Sequence, residues 1–138
     1  MRKFEILPHT SDLRLKVTAD SIKGIFKSSL EGMGSIIKSN CFNVDANITL
    51  TEKINVISLD ESALLIDFLS EILTLSHNKK AVYKIKNIEK LAPTKINAVI
   101  EGEKLDGFDE DIKAVTYTEA KIKKSKNGIF ETIIVFDI

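Results

Sequence analysis

Apolar residues recur every third or fourth position in two stretches of this chain and every second position in most of the rest. In DSIKGIFKSSLEGMGSIIKS, the residues Ile22, Ile25, Phe26, Leu30, Met33, Ile36 and Ile37 keep helical spacing and so share one face of a helix. Asp20 or Ser21 is placed to accept a hydrogen bond from the free amides of its first turn. In DESALLIDFLSEILTLSHN, a second stripe runs through Leu65, Phe68, Leu69, Ile72 and Leu73, with Asp60 or Ser62 as the cap and Asn78 suited to the stop. Core packing accounts for both stripes.

The alternating stretches read as strands. KFEI carries Phe4 and Ile6, and LRLKVTA turns Leu13, Leu15 and Val17 to one side. NITLTEKINVIS alternates less cleanly and predicts a bulge near Glu52. AVYKIKNIEKL and TKINAVIEGEKL read as a hairpin around LAPT. IKAVTYTEAKIKK and IFETIIVFDI flank Lys126-Asn127-Gly128, a hairpin signal because Asn and Gly both tolerate positive φ. The predicted order is β-β-α-β-α-β-β-β-β. This is an α+β fold, one domain over residues 1–138, with a mostly antiparallel or mixed sheet and two amphipathic helices packed on it, since each apolar helix face needs a surface to bury against.

Composition narrows the function more than the fold. At 138 residues, 43% hydrophobic and 29% charged, the chain can build a hydrophobic core and is not a disordered polyelectrolyte. Twenty Lys and Arg balance twenty Asp and Glu, so the surplus of cations a generic nucleic-acid coat needs is missing. Cys41 is the only cysteine, which excludes an intrachain disulfide scaffold or a multi-cysteine zinc site. With no signal-peptide pattern at the start and no run of about 18 apolar residues, the expectation is a cytoplasmic protein without a membrane span.

Candidate chemistry is sparse. His9 lies in the polar stretch PHTSD between two strands, and His77 lies at a helix end; two histidines without a cysteine cluster make a poor zinc or non-haem iron site. The acidic run LDGFDEDIK lacks the ligand spacing of a calcium loop and reads as a solvated loop. The basic run KIKKSK, residues 121 to 126, reads as a solvated face or guarded strand edge, with an RNA or acidic-partner contact as the rarer reading. EGMGS falls inside a helical pattern and is no phosphate loop, and no nucleophile elbow is present. A binding or regulatory module is the default.

The last strand is the exception. Its apolar run Ile133, Ile134, Val135, Phe136 leads straight into Asp137 and Ile138. If that strand is central, the α-carboxylate of Ile138 is held beside the side chain of Asp137. Carboxylates so close repel unless a cation or donors compensate, and a third acid nearby would complete an oxygen-rich site for a hard divalent ion. The plainer alternative is a chain that stops at a sheet rim.

HTSD at 9–12, LLIDFLSEIL at 64–73, GEKLD at 102–106, IKAVTYTEAKI at 112–122 and the closing VFDI together resemble the archease family, in that family's order and over nearly the whole chain. The resemblance implies a small α/β protein that acts with an RtcB-type RNA ligase in tRNA splicing and RNA repair. Such a protein promotes guanylylation of the ligase's active-site histidine and its repeated turnover, and is not itself an enzyme. It implies a metal site at Asp12, Asp137 and the terminal carboxylate of Ile138, with calcium as the expected ion and magnesium or manganese as substitutes. It makes Lys113 a contact to the ligase or to nucleotide phosphate; His9, whose ring can hydrogen-bond within its own loop and so reads first as local structure, is the second candidate for such a contact.

The chain departs from the family pattern in places. The family commonly has Ala where Ser11 stands, Gly at Arg14 and Trp at Phe68. Family histidines near Phe108 and at Thr118 are missing, so their roles do not transfer. The expected partner is therefore the ligase, with tRNA reached only through it; no membrane partner is expected and self-association is left open. Two alternatives stand beside this reading. One is a chaperone-like interaction module without metal dependence. The other is a small hydrolase using Asp12 with a metal-bound water.

Overall fold

The computed structural model describes residues 1–7 and 11–138. The chain runs β1 (Arg2–Leu7), β2 (Asp12–Ala19), α1 (Ile22–Ile37), β3 (Ile48–Ile57), α2 (Glu61–Lys79), β4 (Ala81–Ala92), β5 (Lys95–Lys104), β6 (Ala114–Thr116), β7 (Lys123–Lys124) and β8 (Phe130–Asp137). The α+β class and both helices agree with the sequence pattern. The strands divide between two antiparallel sheets rather than one. The first has the order β1-β2-β8-β6, with β7 also paired to β8; the second has the order β3-β5-β4.

The second sheet follows from how deeply the helices are buried. In α1, eleven residues are buried, among them Gly24, Ser28, Ser29, Gly32 and Gly34, well beyond the predicted apolar stripe. A helix covered on more than one side needs two surfaces. Accordingly α1 packs on β1, β2 and β8 of the first sheet and on β4 of the second, and α2 packs on β6 and on β3, β4 and β5. One continuous core results, with Leu15, Val17, Phe26, Phe68, Ile72, Ile100, Ile134 and Phe136 all fully enclosed. Gly32 lets α1 sit directly on β2: a Cβ there would come within 2.5 Å of Leu15 Cδ2.

Local chemistry sets the element ends. Ser21 caps α1, its hydroxyl accepting from the Gly24 amide at 3.0 Å, and Asp60 caps α2, accepting from the Ala63 amide at 2.8 Å. Helix α2 runs past Asn78 and stops at Lys80, which takes the left-handed conformation (φ 52). The irregularity in β3 lies between Ile48 and Leu50 rather than at Glu52. Of the Asn-Gly pair only Gly128 takes positive φ, at 79°.

The stretch 112–124 is one strand by pattern but two short strands in the fold. Between β6 and β7 the backbone leaves the sheet to reach α2. The Tyr117 hydroxyl donates to Asp67, and the Ile122 amide donates to Ser62 Oγ at 2.9 Å. Thr132 Oγ1 holds the excursion to β8 by donating to the Ala120 carbonyl at 2.9 Å. These bonds from α2 outcompete a continuous ladder, which a period-two pattern has no means of showing.

Candidate functional site

Strand β8 is central, flanked by β2 on one side and β6 and β7 on the other. Its register with β2 pairs Asp12 with Asp137, Leu13 with Phe136 and Leu15 with Ile134. Leu15, Ile134 and Phe136 are fully buried, so the alternation turns Asp12 and Asp137 to the opposite, outer face. Directly opposed residues of an antiparallel pair hold their Cβ atoms about 4.5–5.5 Å apart. Two carboxylates separated in sequence by more than a hundred residues are thereby neighbours at one end of the sheet. Asp137 is exposed and Asp12 half-buried. Ile138 follows on the core side, half-buried against the hydrophobic cluster.

The third strand completes the place. Ala114 is the partner of Asp137 on β6, and the amide of Lys113 donates to the Asp137 carbonyl at 2.7 Å. The end of β8 is thus clamped from both sides, and the exposed Lys113 stands at the rim of the acid pair. His9 lies outside the described residues. The structure brings Asp12, Asp137, Ile138 and Lys113 together. The donors on offer are carboxylate oxygens, the chemistry of a hard divalent cation rather than of zinc or copper. Among the described residues no cluster of three or more His, Cys, Asp and Glu side chains that could hold a metal ion forms.

Arg14 belongs to the same outer face, two residues from Asp12 and opposite Val135. Its guanidinium donates twice to Glu119, Nε to Oε2 and Nη2 to Oε1, each at 3.0 Å. Glu119 takes a left-handed backbone conformation, φ 58. The sequence marks Arg14 only as a departure from the family pattern and carries no signal for Glu119, because their contact spans 105 positions.

Other acids are structural. Asp109, in the loop read as solvated, accepts from the Ser39 amide at 2.8 Å, the Ser39 hydroxyl at 3.0 Å and Lys38 Nζ at 3.2 Å, and so seals the C-terminal end of α1. The Ser39 amide, then its hydroxyl and Lys38, hold this carboxyl below its usual range. Asp67 accepts from Ser58 Oγ at 2.6 Å and from the Tyr117 hydroxyl, whose pKa that bond raises. His77 lies 3.5 Å from Asp111 and its ring lies 5.9 Å from that of Phe108, tying the end of α2 to the loop before β6. Burial pushes the Cys41 thiol up to about 11, which keeps it protonated and unreactive at neutral pH. Lys123 and Lys124 of the basic run form the exposed strand β7.

The model of the archease protein family matches residues 4–138. The chain belongs to the archease family. Among curated relatives, the protein archease of Pyrococcus abyssi is 30% identical over the whole of both chains. That of Methanosarcina acetivorans is 28% identical over 99% of this chain and 97% of its own. A solution structure of a Methanobacterium thermoautotrophicum protein superposes with a TM-score of 0.73 at 17% identity, covering 98% of each chain. The crystal structure of a Thermotoga maritima archease, described as a possible chaperone, gives 0.61 at 16% identity over 96% of this chain and 94% of its own. These two likenesses establish the archease fold for the present chain. Among its described residues, no helix is long and apolar enough to cross a membrane.

Proposed function

We infer that this archease is a protein activator of an RtcB-type RNA ligase, promoting guanylylation and repeated turnover of the ligase while catalysing no reaction itself. The observation that carries this reading is the register of β2 against β8, which puts Asp12 beside Asp137 at the end of the sheet. Those two carboxylates and the α-carboxylate of Ile138 hold a divalent cation, calcium by expectation, with magnesium or manganese as substitutes. The bound ion supplies positive charge at the tip of the molecule, where it offsets the repulsion between the acids and can meet an oxyanion of the partner. Lys113, exposed at the rim, contributes a point charge toward the ligase or a nucleotide phosphate; His9 is a second candidate for such a contact. RNA is engaged through the ligase, in keeping with the absence of net positive charge on this chain.

The test is a ligation time course on RNA with a 3′-phosphate end, using a cognate ligase in excess substrate with catalytic amounts of this protein. The expected result is conversion from a single turnover to many. Asp12→Asn and Asp137→Asn should abolish most of that gain and weaken calcium binding in calorimetric titration. Extending the chain beyond Ile138 by Gly-Ser should act in the same direction, because the terminal carboxylate becomes an amide carbonyl. A ligase whose yield never changes on adding the protein would refute the reading.

A further inference from the structure

Large apolar side chains scattered singly over a surface need no special account, but here three collect in one place. Ile57 at the end of β3 is 74% exposed, Leu59 just before α2 is 91% exposed and Tyr117 just after β6 is 63% exposed. All three line the larger of two adjoining hollows, of about 610 and 530 Å³, which share Ala63 and Tyr117. The walls of this groove are fixed in advance. Asp67 accepts from the Tyr117 hydroxyl, and Ser62 Oγ accepts from the Ile122 amide at 2.9 Å, so the segment between β6 and β7 is fastened to α2. A surface ordered beforehand loses little freedom when something binds to it.

The charges beside the groove say what covers it. Glu61 lines the smaller hollow from the start of α2, and Lys121 lines it from the segment between β6 and β7. Among the described residues neither of the two forms an ion pair. A partner of one sign would meet a like charge on one side of the groove. A twofold axis avoids this, because it sets the acidic side of one copy against the basic side of the other. The formal net charge of the chain is zero, so no long-range repulsion keeps two copies apart. We propose that the groove between α2 and the β6–β7 segment is a homodimer interface, closed by a second copy of this chain. Leu59 and Tyr117 of each copy fill its apolar centre, as aromatic and aliphatic anchors do in interface cores. Glu61 of each copy meets Lys121 of its mate, and the contact is made twice. The inference is independent of the cation-site reading, since it uses none of the residues assigned there.

Sedimentation equilibrium on the full chain tests it, from about 1 μM to about 1 mM protein, with thermal unfolding alongside. The wild type should pass from monomer to dimer within that range. Leu59→Ser should weaken dimerisation by at least about tenfold and leave the melting temperature of the dilute monomer unchanged, because the side chain it removes is almost wholly exposed. Lys121→Glu and Glu61→Lys should each weaken it by roughly tenfold, since a twofold axis turns each lost pair into two like-charge contacts. Lys121→Glu combined with Glu61→Lys should bring the dimer back, because the pair is rebuilt with its signs exchanged. A wild type that stays monomeric throughout overturns the proposal. A monomeric wild type in which Leu59→Ser lowers activation of the ligase overturns it too, and gives the groove to that partner instead. A dimer that Leu59→Ser does not weaken, or one the double charge exchange does not restore, overturns the assignment of the interface to this groove.

Discussion

Asp67 on α2 and Asp137 on β8 are both carboxylates at the molecular surface, yet their surroundings differ in kind. Asp67 sits among donors: Ser58 and Tyr117 each give it a hydroxyl hydrogen bond, and the bonds join β3, α2 and the loop after β6. Asp137 sits opposite another acid, placed there by eight consecutive rungs of backbone pairing between β2 and β8. An acid surrounded by donors lowers the energy of the fold that carries it. An acid set against a like charge raises that energy, and the rest of the structure must hold it in place. The difference separates a carboxylate that ties three parts of the scaffold together from one that, on the reading proposed above, is presented to an ion.

The largest effect should come from breaking what holds the presented pair. Ile134 is fully buried and lies three residues before Asp137 on the same strand. Ile134→Ala should cost about 2–5 kcal/mol of stability in chemical denaturation. It should also blunt calcium binding near the melting range, because the acids are aligned only while the β2–β8 register holds. Intact affinity in a strongly destabilised variant would mean that the acids find each other without the ladder.

Asp67→Ala should be next, at roughly 1–3 kcal/mol, since two hydroxyl donors lose their acceptor. Calcium affinity should not move. Asp137→Ala should behave inversely: affinity falls, while stability in the absence of the ion stays level or rises as repulsion is relieved. If the two alanine variants behaved alike in both assays, the distinction drawn between the two acids would collapse.

The smallest effect concerns pH. Asp109 has its pKa lowered by the Ser39 amide and hydroxyl and by Lys38. A depressed carboxylate contributes stability that is present above its ordinary pKa and lost as pH falls through its folded value. Asp109→Asn should therefore flatten the acid limb of the stability profile and leave the neutral region little changed. Urea midpoints collected from neutral pH downward would show it, and an unaltered acid limb would place the acid sensitivity elsewhere.

Much of this architecture is legible along the chain because it depends on spacing. The helical stripes Ile22–Ile37 and Leu65–Leu73, the caps Ser21 and Asp60, the β4–β5 hairpin and the turn at Gly128 all follow from local periodicity and local hydrogen bonding. The central placement of β8 is legible too, from an apolar run too long for an edge. Motif resemblance points to Asp12 and Asp137, and the alternation of β2 and β8 puts them on one face once the strands are paired.

What the chain order does not contain is which surfaces meet. The division into two sheets was decided by the depth to which α1 and α2 are buried, a property of their surroundings rather than of their own apolar stripes. The break between β6 and β7 was decided by Ser62 and Asp67 on a helix, 60 and 50 positions before their partners. The hold of Glu119 on Arg14 was decided across 105 positions. Periodicity reports which side of an element is apolar. Pairings between distant polar groups depend on loop paths and on the competition for each donor, and those exist only once the core has brought the elements together.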